Sequence, residues 1–241
     1  MSARTLITLV AAVGALLLAL ALAGCGSSSS SSSSTGSGAT STASRTGTAT
    51  SSAPTTTTTA SSTTSGPRIG FEAVPLEQGP DLAPASTTQP TAVDGIKCTP
   101  GEQLVYHIHS HLAVFDNGRL YALPGGVGIP GSTREQSQYG PVAVGGQCIF
   151  WLHTHTGDGV IHVESPLRAF FTLGDFFDIW RQPLTNDRIA SLRGKVSAFV
   201  NGKPWHKSVR AIPLLSHADI QLEIGEPIPP IVTVNWKKTG L

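Results

Sequence analysis

Histidine recurs at every second position in two stretches of this chain, and no other feature constrains its fold as much. The first stretch, YHIHSHLAVF, carries His107, His109 and His111. The second, FWLHTHTGDGVIHVE, carries His153 and His155 and runs on to His162 and Glu164. Six of the eight histidines sit in these two stretches. Residues two apart share a face on a β-strand and diverge on a helix. Each stretch therefore reads as a strand with one imidazole face. The other faces are apolar: Tyr106, Ile108, Leu112 and Val114 in the first, broken only by Ser110, and Phe150 and Leu152 in the second. Those sides belong against a core. Ile149 and Trp151 extend the second histidine side with apolar surface, which predicts a pocket with a dry wall and a polar end.

Neutral imidazole is the commonest metal ligand near neutral pH. A two-residue turn at Asp158-Gly159 opposes His155 to His162 and His153 to Glu164, whereas a turn at Gly157-Asp158 opposes His153 to His162. Both keep the four side chains on one face. Opposed β-carbons lie about 5 Å apart, so two such imidazoles can share an ion. In the first stretch, same-face neighbours stand about 6.8 Å apart and residues four apart about 13.6 Å. At most two of its three histidines then join one ion. His109 and His111 are expected to do so, being nearer the apolar run, with His107 left to another ion or to a supporting hydrogen bond.

The candidate ligands are thus His109, His111, His153, His155 and His162, with His107 in reserve. Glu164 is placed as the carboxylate that hydrogen-bonds a ligating imidazole. A nitrogen-rich donor set suits a transition metal, copper or zinc, and not magnesium or calcium. The single methionine is Met1, which argues against methionine-based Cu(I) chemistry. The plainer alternative is a set of buried histidines satisfied by hydrogen bonds, or a His–Glu acid–base pair without metal.

The formal net charge of +1 supplies no basic surface for nucleic acid. From Gly26 to about Gly66 the chain is nearly all Ser, Thr, Ala and Gly. It cannot offset its ordering entropy by burial and reads as a disordered stalk. Residues 67–95 are Pro-rich and expected to be extended, with Phe71, Val74 and Leu76 as docking points. The folded domain is expected over 96–241. Its predicted strands are 105–115, 120–123, 149–155, 160–164, 196–200, 203–206, 220–224 and 231–236, with turns at Asn117-Gly118 and Asn201-Gly202 and a loop over 124–146. One helix is predicted in FTLGDFFDIWRQPL, capped by Thr172 and ended by Pro183, with Leu173, Phe176, Phe177 and Trp180 as its apolar stripe. This is an α+β fold, mainly antiparallel β-hairpins with one principal helix.

Residues 1–24 have the charged start and apolar run of a signal peptide. Leu22-Ala23-Gly24-Cys25 resembles the lipobox of bacterial lipoproteins. The resemblance implies cleavage before Cys25, lipids such as palmitate on Cys25, and anchoring at the outer face of the cytoplasmic membrane. An uncleaved membrane anchor is the alternative. With Cys25 so assigned, Cys98 and Cys148 remain, and an exported compartment permits a disulfide between them. The alternative is that one thiolate ligates soft Cu(I). The pair His153 and His155 resembles the paired histidines of cupins, although Glu164 lies further downstream than the cupin glutamate. The span from YHIHSHLAVFDNG to TLGDFFDIW is similar to exported bacterial proteins without an assigned function. The expected function is extracytoplasmic, membrane-anchored metal binding for sequestration, buffering or delivery. A metal-dependent oxygenase or hydrolase and a metal-free cell-envelope interaction module are the alternatives.

Overall fold

The computed structural model describes residues 66–85 and 91–241. The signal segment, Cys25 and nearly all of the stalk lie outside the described residues. No helix among the described residues is long and apolar enough to cross a membrane. In chain order the strands are β1 Ala92–Val93, β2 Ile96–Thr99, β3 Tyr106–Asp116, β4 Arg119–Tyr121, β5 Thr133–Ser137, β6 Gly140–Val144, β7 Ile149–Phe150, β8 Leu152–His153, β9 Val160–Ser165, β10 Leu184–Thr185, β11 Arg188–Ile189, β12 Leu192–Arg193, β13 Val196–Val200, β14 Lys203–Pro204 and β15 Ala218–Ile224. The α-helix among the described residues, α1, spans Leu173–Trp180.

A seven-stranded sheet in the order β14-β13-β15-β3-β9-β8, with β4 also on β3, forms the centre. Its pairings are antiparallel except β15 on β3, which is parallel. The expectation of hairpins holds for most of the sheet, and the parallel pair adds a crossover. A parallel pair needs a long connection, and the chain between β3 and β15 includes α1.

The alternation read from the sequence sets the two faces. Ile161 and Val163 on β9, Leu112 and Val114 on β3, and Ile220 and Leu222 on β15 join α1 in one core cluster. Thr172 caps the helix in a reciprocal capping box with Asp175. Leu173, Phe176, Phe177 and Trp180 are fully buried, and each such side chain contributes about 1.5–3 kcal/mol of transfer free energy. Arg181 ends the helix in a left-handed conformation, two residues before Pro183.

Three expected elements differ. The strand over 149–155 breaks at Trp151: β7 pairs with β2, while β8 pairs with β9. The loop over 124–146 contains the β5–β6 hairpin. Residues 231–236 are not a strand, because both edges of β15 are already occupied by β13 and β3. The tail instead donates to β15 side chains, Val232 N to Gln221 Oε1 at 2.7 Å and Val234 N to Asp219 Oδ1 at 3.3 Å.

The Pro-rich segment is part of the compact fold, which begins well before residue 96. Val74 and Leu82 are buried, Leu76 is half-buried and Phe71 is exposed. Trp180 Nε1 donates to the Pro84 carbonyl at 2.9 Å. Cys98 and Cys148 form a disulfide across Cα atoms 5.4 Å apart. Neither sulfur is therefore a metal ligand.

Candidate metal centre

Register decides which histidines meet. On β3 and β9, His107 opposes Glu164, His109 opposes His162, and His111 opposes Val160. On β8, His153 opposes His162. This is the register of a turn at Gly157-Asp158, so His153 is not opposite Glu164. The connection is no tight turn, however, because residues 154–159 form a longer loop. Thr154 turns inward and donates to the Pro124 carbonyl at 2.8 Å. The Asp158 carboxylate accepts from Val160 N at 3.2 Å.

His162 is the hub. Its ring centroid lies 4.6 Å from His109, 4.7 Å from His155 and 5.1 Å from His153. His107 packs against His109 at 4.6 Å. Three sets of donor atoms lie close enough to hold an ion, with members of each within 4.8 Å of one another: His107, His109, His162 and Glu164; His153, His155 and His162; and Glu102, His153 and Glu164.

Among the expected ligands, His111 belongs to none of these sets, and His107 takes the place expected of it beside His109. His111 lies past the cluster, opposite Val160 and under Gly159. A Cβ on Gly159, whose φ is +79°, would come within 2.7 Å of His111 Nε2. The loop backbone thus closes directly over this ring.

Hydrogen bonds fix the rings that converge. His153 Nδ1 donates to the Phe150 carbonyl at 2.9 Å, which leaves Nε2 as the acceptor. That Nε2 lies 3.1 Å from His155 Nε2. His162 Nε2 meets Glu72 Oε1 at 2.6 Å, and its Nδ1 faces Glu164 Oε1 at 3.3 Å. His107 Nε2 lies 3.1 Å from the same Glu164 oxygen. His109 Nε2 is buried and has no hydrogen-bond partner. These separations approach the roughly 3.3 Å between ligand atoms of a tetrahedral ion with bonds of about 2.0–2.1 Å.

Electrostatics prepares the same groups. Burial, aided by the His162 charge, pushes His109 down to about 3 and His153 well below the ordinary imidazole value. Burial lowers His155 too. These rings are neutral at pH 7, as metal ligands must be. His162 differs: burial opposes its charge, but hydrogen bonds to Glu164 and Glu72 outweigh it and raise the ring to about 9, so in the metal-free chain it is protonated at pH 7 and a metal must displace its Nδ1 proton. Burial likewise works against the Glu72 carboxylate, and its bond to His162 prevails, leaving it below the usual value. Asp158, buried and facing the Glu72 charge, is pushed up to about 7.

Sequence reasoning missed three acids. Glu72 comes from the Pro-rich segment, some ninety positions before His162 in the chain. Glu102 lies 3.4 Å from His155 Nε2. Asp158 reads as a turn residue in the sequence, yet it is fully buried beside Glu72. Isolated acids with no periodic neighbours carry no sequence signal for such contacts. A cavity of about 540 Å³ opens at the cluster, with Phe71, Ile129, Val142 and Ile149 as its apolar wall and His107, His109, His155 and His162 at its polar end. It has the shape expected from the Ile149 side of the second strand. No family model, curated protein or solved structure matches this chain.

Proposed function

We propose that this protein binds a transition metal ion, copper or zinc, through the imidazoles gathered on the β3–β9–β8 face. Its role is sequestration, buffering or delivery of metal at the outer face of the cytoplasmic membrane, where lipid on Cys25 holds it. One observation carries the reading. His153 and His162 each commit one ring nitrogen to a fixed acceptor, the Phe150 carbonyl and the Glu72 carboxylate, and turn the other toward neighbouring donors, His155 Nε2 and Glu164 Oε1. Such bonds set the tautomer and strengthen a ligating imidazole. The exported location rests on the lipobox resemblance, and the Cys98–Cys148 disulfide suits an oxidising compartment.

A second reading, a metal-dependent enzyme of oxygenase or hydrolase type, is favoured by the cavity that adjoins the cluster. An enzyme keeps a coordination position open to water or substrate. The test uses the full-length chain purified in detergent and stripped of metal. Bound copper or zinc by mass spectrometry, with a raised melting temperature that His153→Ala and His162→Ala abolish, is the expected result. If none of Cu, Zn, Fe, Ni or Mn binds or shifts the melting curve, metal binding is refuted. A water-ligated ion in the Cu(II) spectrum moves the conclusion to the enzyme.

A further inference from the structure

Among the described residues, the Glu164 carboxylate turns its two oxygens to different imidazoles. Oε1 lies 3.1 Å from His107 Nε2 and 3.3 Å from His162 Nδ1. Oε2 lies 3.9 Å from His153 Nε2. Glu164 is buried, yet Oε2 has no hydrogen-bond partner. An unpaired buried carboxylate oxygen costs free energy unless something charged or polar meets it. Beyond that oxygen stand His153 Nε2 and His155 Nε2, 3.1 Å apart, and Glu102 Oε1, 3.4 Å from His155.

From this arrangement we propose that the centre holds two metal ions bridged by the Glu164 carboxylate. The inference rests on the metal-binding reading above and extends it. The first position takes His107, His109, His162 and Oε1 of Glu164. The second takes Glu102, His153 and Oε2 of Glu164, with His155 Nε2 beside it, 3.1 Å from His153 and 3.4 Å from Glu102. The first has four donors, the number a tetrahedral ion requires, and the second has three, which leaves a coordination position open. His162 completes the first position through Nδ1, because Glu72 holds its Nε2. Strand geometry agrees, since His107 and His109 pair directly across from Glu164 and His162. A third set, His153, His155 and His162, would compete for the same rings.

Each position ends on one part-exposed rim residue, His107 in the first and Glu102 in the second, both with side chains 39% exposed. Behind these rims the donors His109, His162, His153 and Glu164 are buried.

The test titrates metal-free, full-length chain in detergent with Cu(II) and Zn(II). Two equivalents per chain are expected. The two-copper form should show a spin-coupled electron paramagnetic resonance spectrum, as ions about 3.5–4 Å apart give. Glu164→Ala should abolish the coupling. If that variant does not fold, Glu102→Gln at the rim serves instead. It should weaken only the second equivalent, by at least about tenfold, while the first stays unchanged. A single equivalent with an uncoupled spectrum in the unaltered chain overturns the two-ion centre and leaves metal binding intact. No uptake at all overturns both. Two equivalents whose coupling survives Glu164→Ala refute the bridge.

Discussion

The two ends of the first histidine strand carry the same side chain on the same face and do opposite things. His107 and His109 look across β9 at Glu164 and His162 and join a cluster. His111, two residues on, looks across at Val160, lies beneath Gly159 and is 3% exposed. Burial drops it to about 4, so it stays neutral within the packed interior. Spacing two apart selects a face, and the residue directly opposite decides whether that face is a site or a core.

The sharpest way to break this contrast is to remove one histidine from each end. If the proposed centre is right, His162→Ala should weaken metal binding by more than about 100-fold, since it would remove a ligand rather than a supporting contact. His111→Gln should leave affinity within about threefold, as it touches no ligand. Isothermal titration with zinc reads both. Comparable losses in the two variants would mean that His111 belongs to the site.

The next effect falls on stability. Gly159→Ala combines a left-handed backbone with a Cβ 2.7 Å from both His111 Nε2 and the Leu112 carbonyl. It should cost about 2–3 kcal/mol in denaturant unfolding of the metal-free chain. A neutral result would show that the loop over His111 is loose.

Glu72→Gln tests the cluster end from behind. It removes the carboxylate that holds His162 Nε2 and should lower metal affinity about tenfold or more with little change in fold. The same variant should bring the raised His162 value down toward that of an ordinary imidazole, read by NMR titration of the metal-free chain.

Acid provides the smallest effect. His111 takes its proton more readily unfolded than folded, so its stabilising contribution is complete above pH 6.5 and is lost as pH falls toward 4. Between pH 6.5 and 5.5 it should remove about 1 kcal/mol from the metal-free chain. Urea midpoints across that range measure it, and His111→Gln should flatten the slope. An unchanged slope would place the acid sensitivity in other groups. His162 acts in the reverse direction: raised to about 9, it stabilises fully below pH 6.5 and loses that contribution as pH rises through 9.

The elements that carry the site were legible where a local pattern exists. Alternation placed β3 and β9 and their faces, Asn117-Gly118 placed the β3–β4 turn, and Thr172 with Asp175 placed the start of α1. The pairing of Cys98 with Cys148 was legible because those two cysteines remained once Cys25 was set aside. What failed has a common cause. The break at Trp151, the parallel β3–β15 pair and the tail across β15 each depend on partners far away in the chain.

The sequence by itself determined that two strands each present histidines on one face and apolar residues on the other, because side-chain alternation is a local property of extended backbone. It could not determine which histidines converge, since register is set by long-range packing and a one-pair shift re-partners every ring. Only the tertiary structure brought Glu72 onto His162, placed Glu102 by His155, aimed the two oxygens of Glu164 at different imidazoles and left His111 in the core. Those contacts join residues from separate parts of the chain, and their distances exist only after the sheet has closed around them.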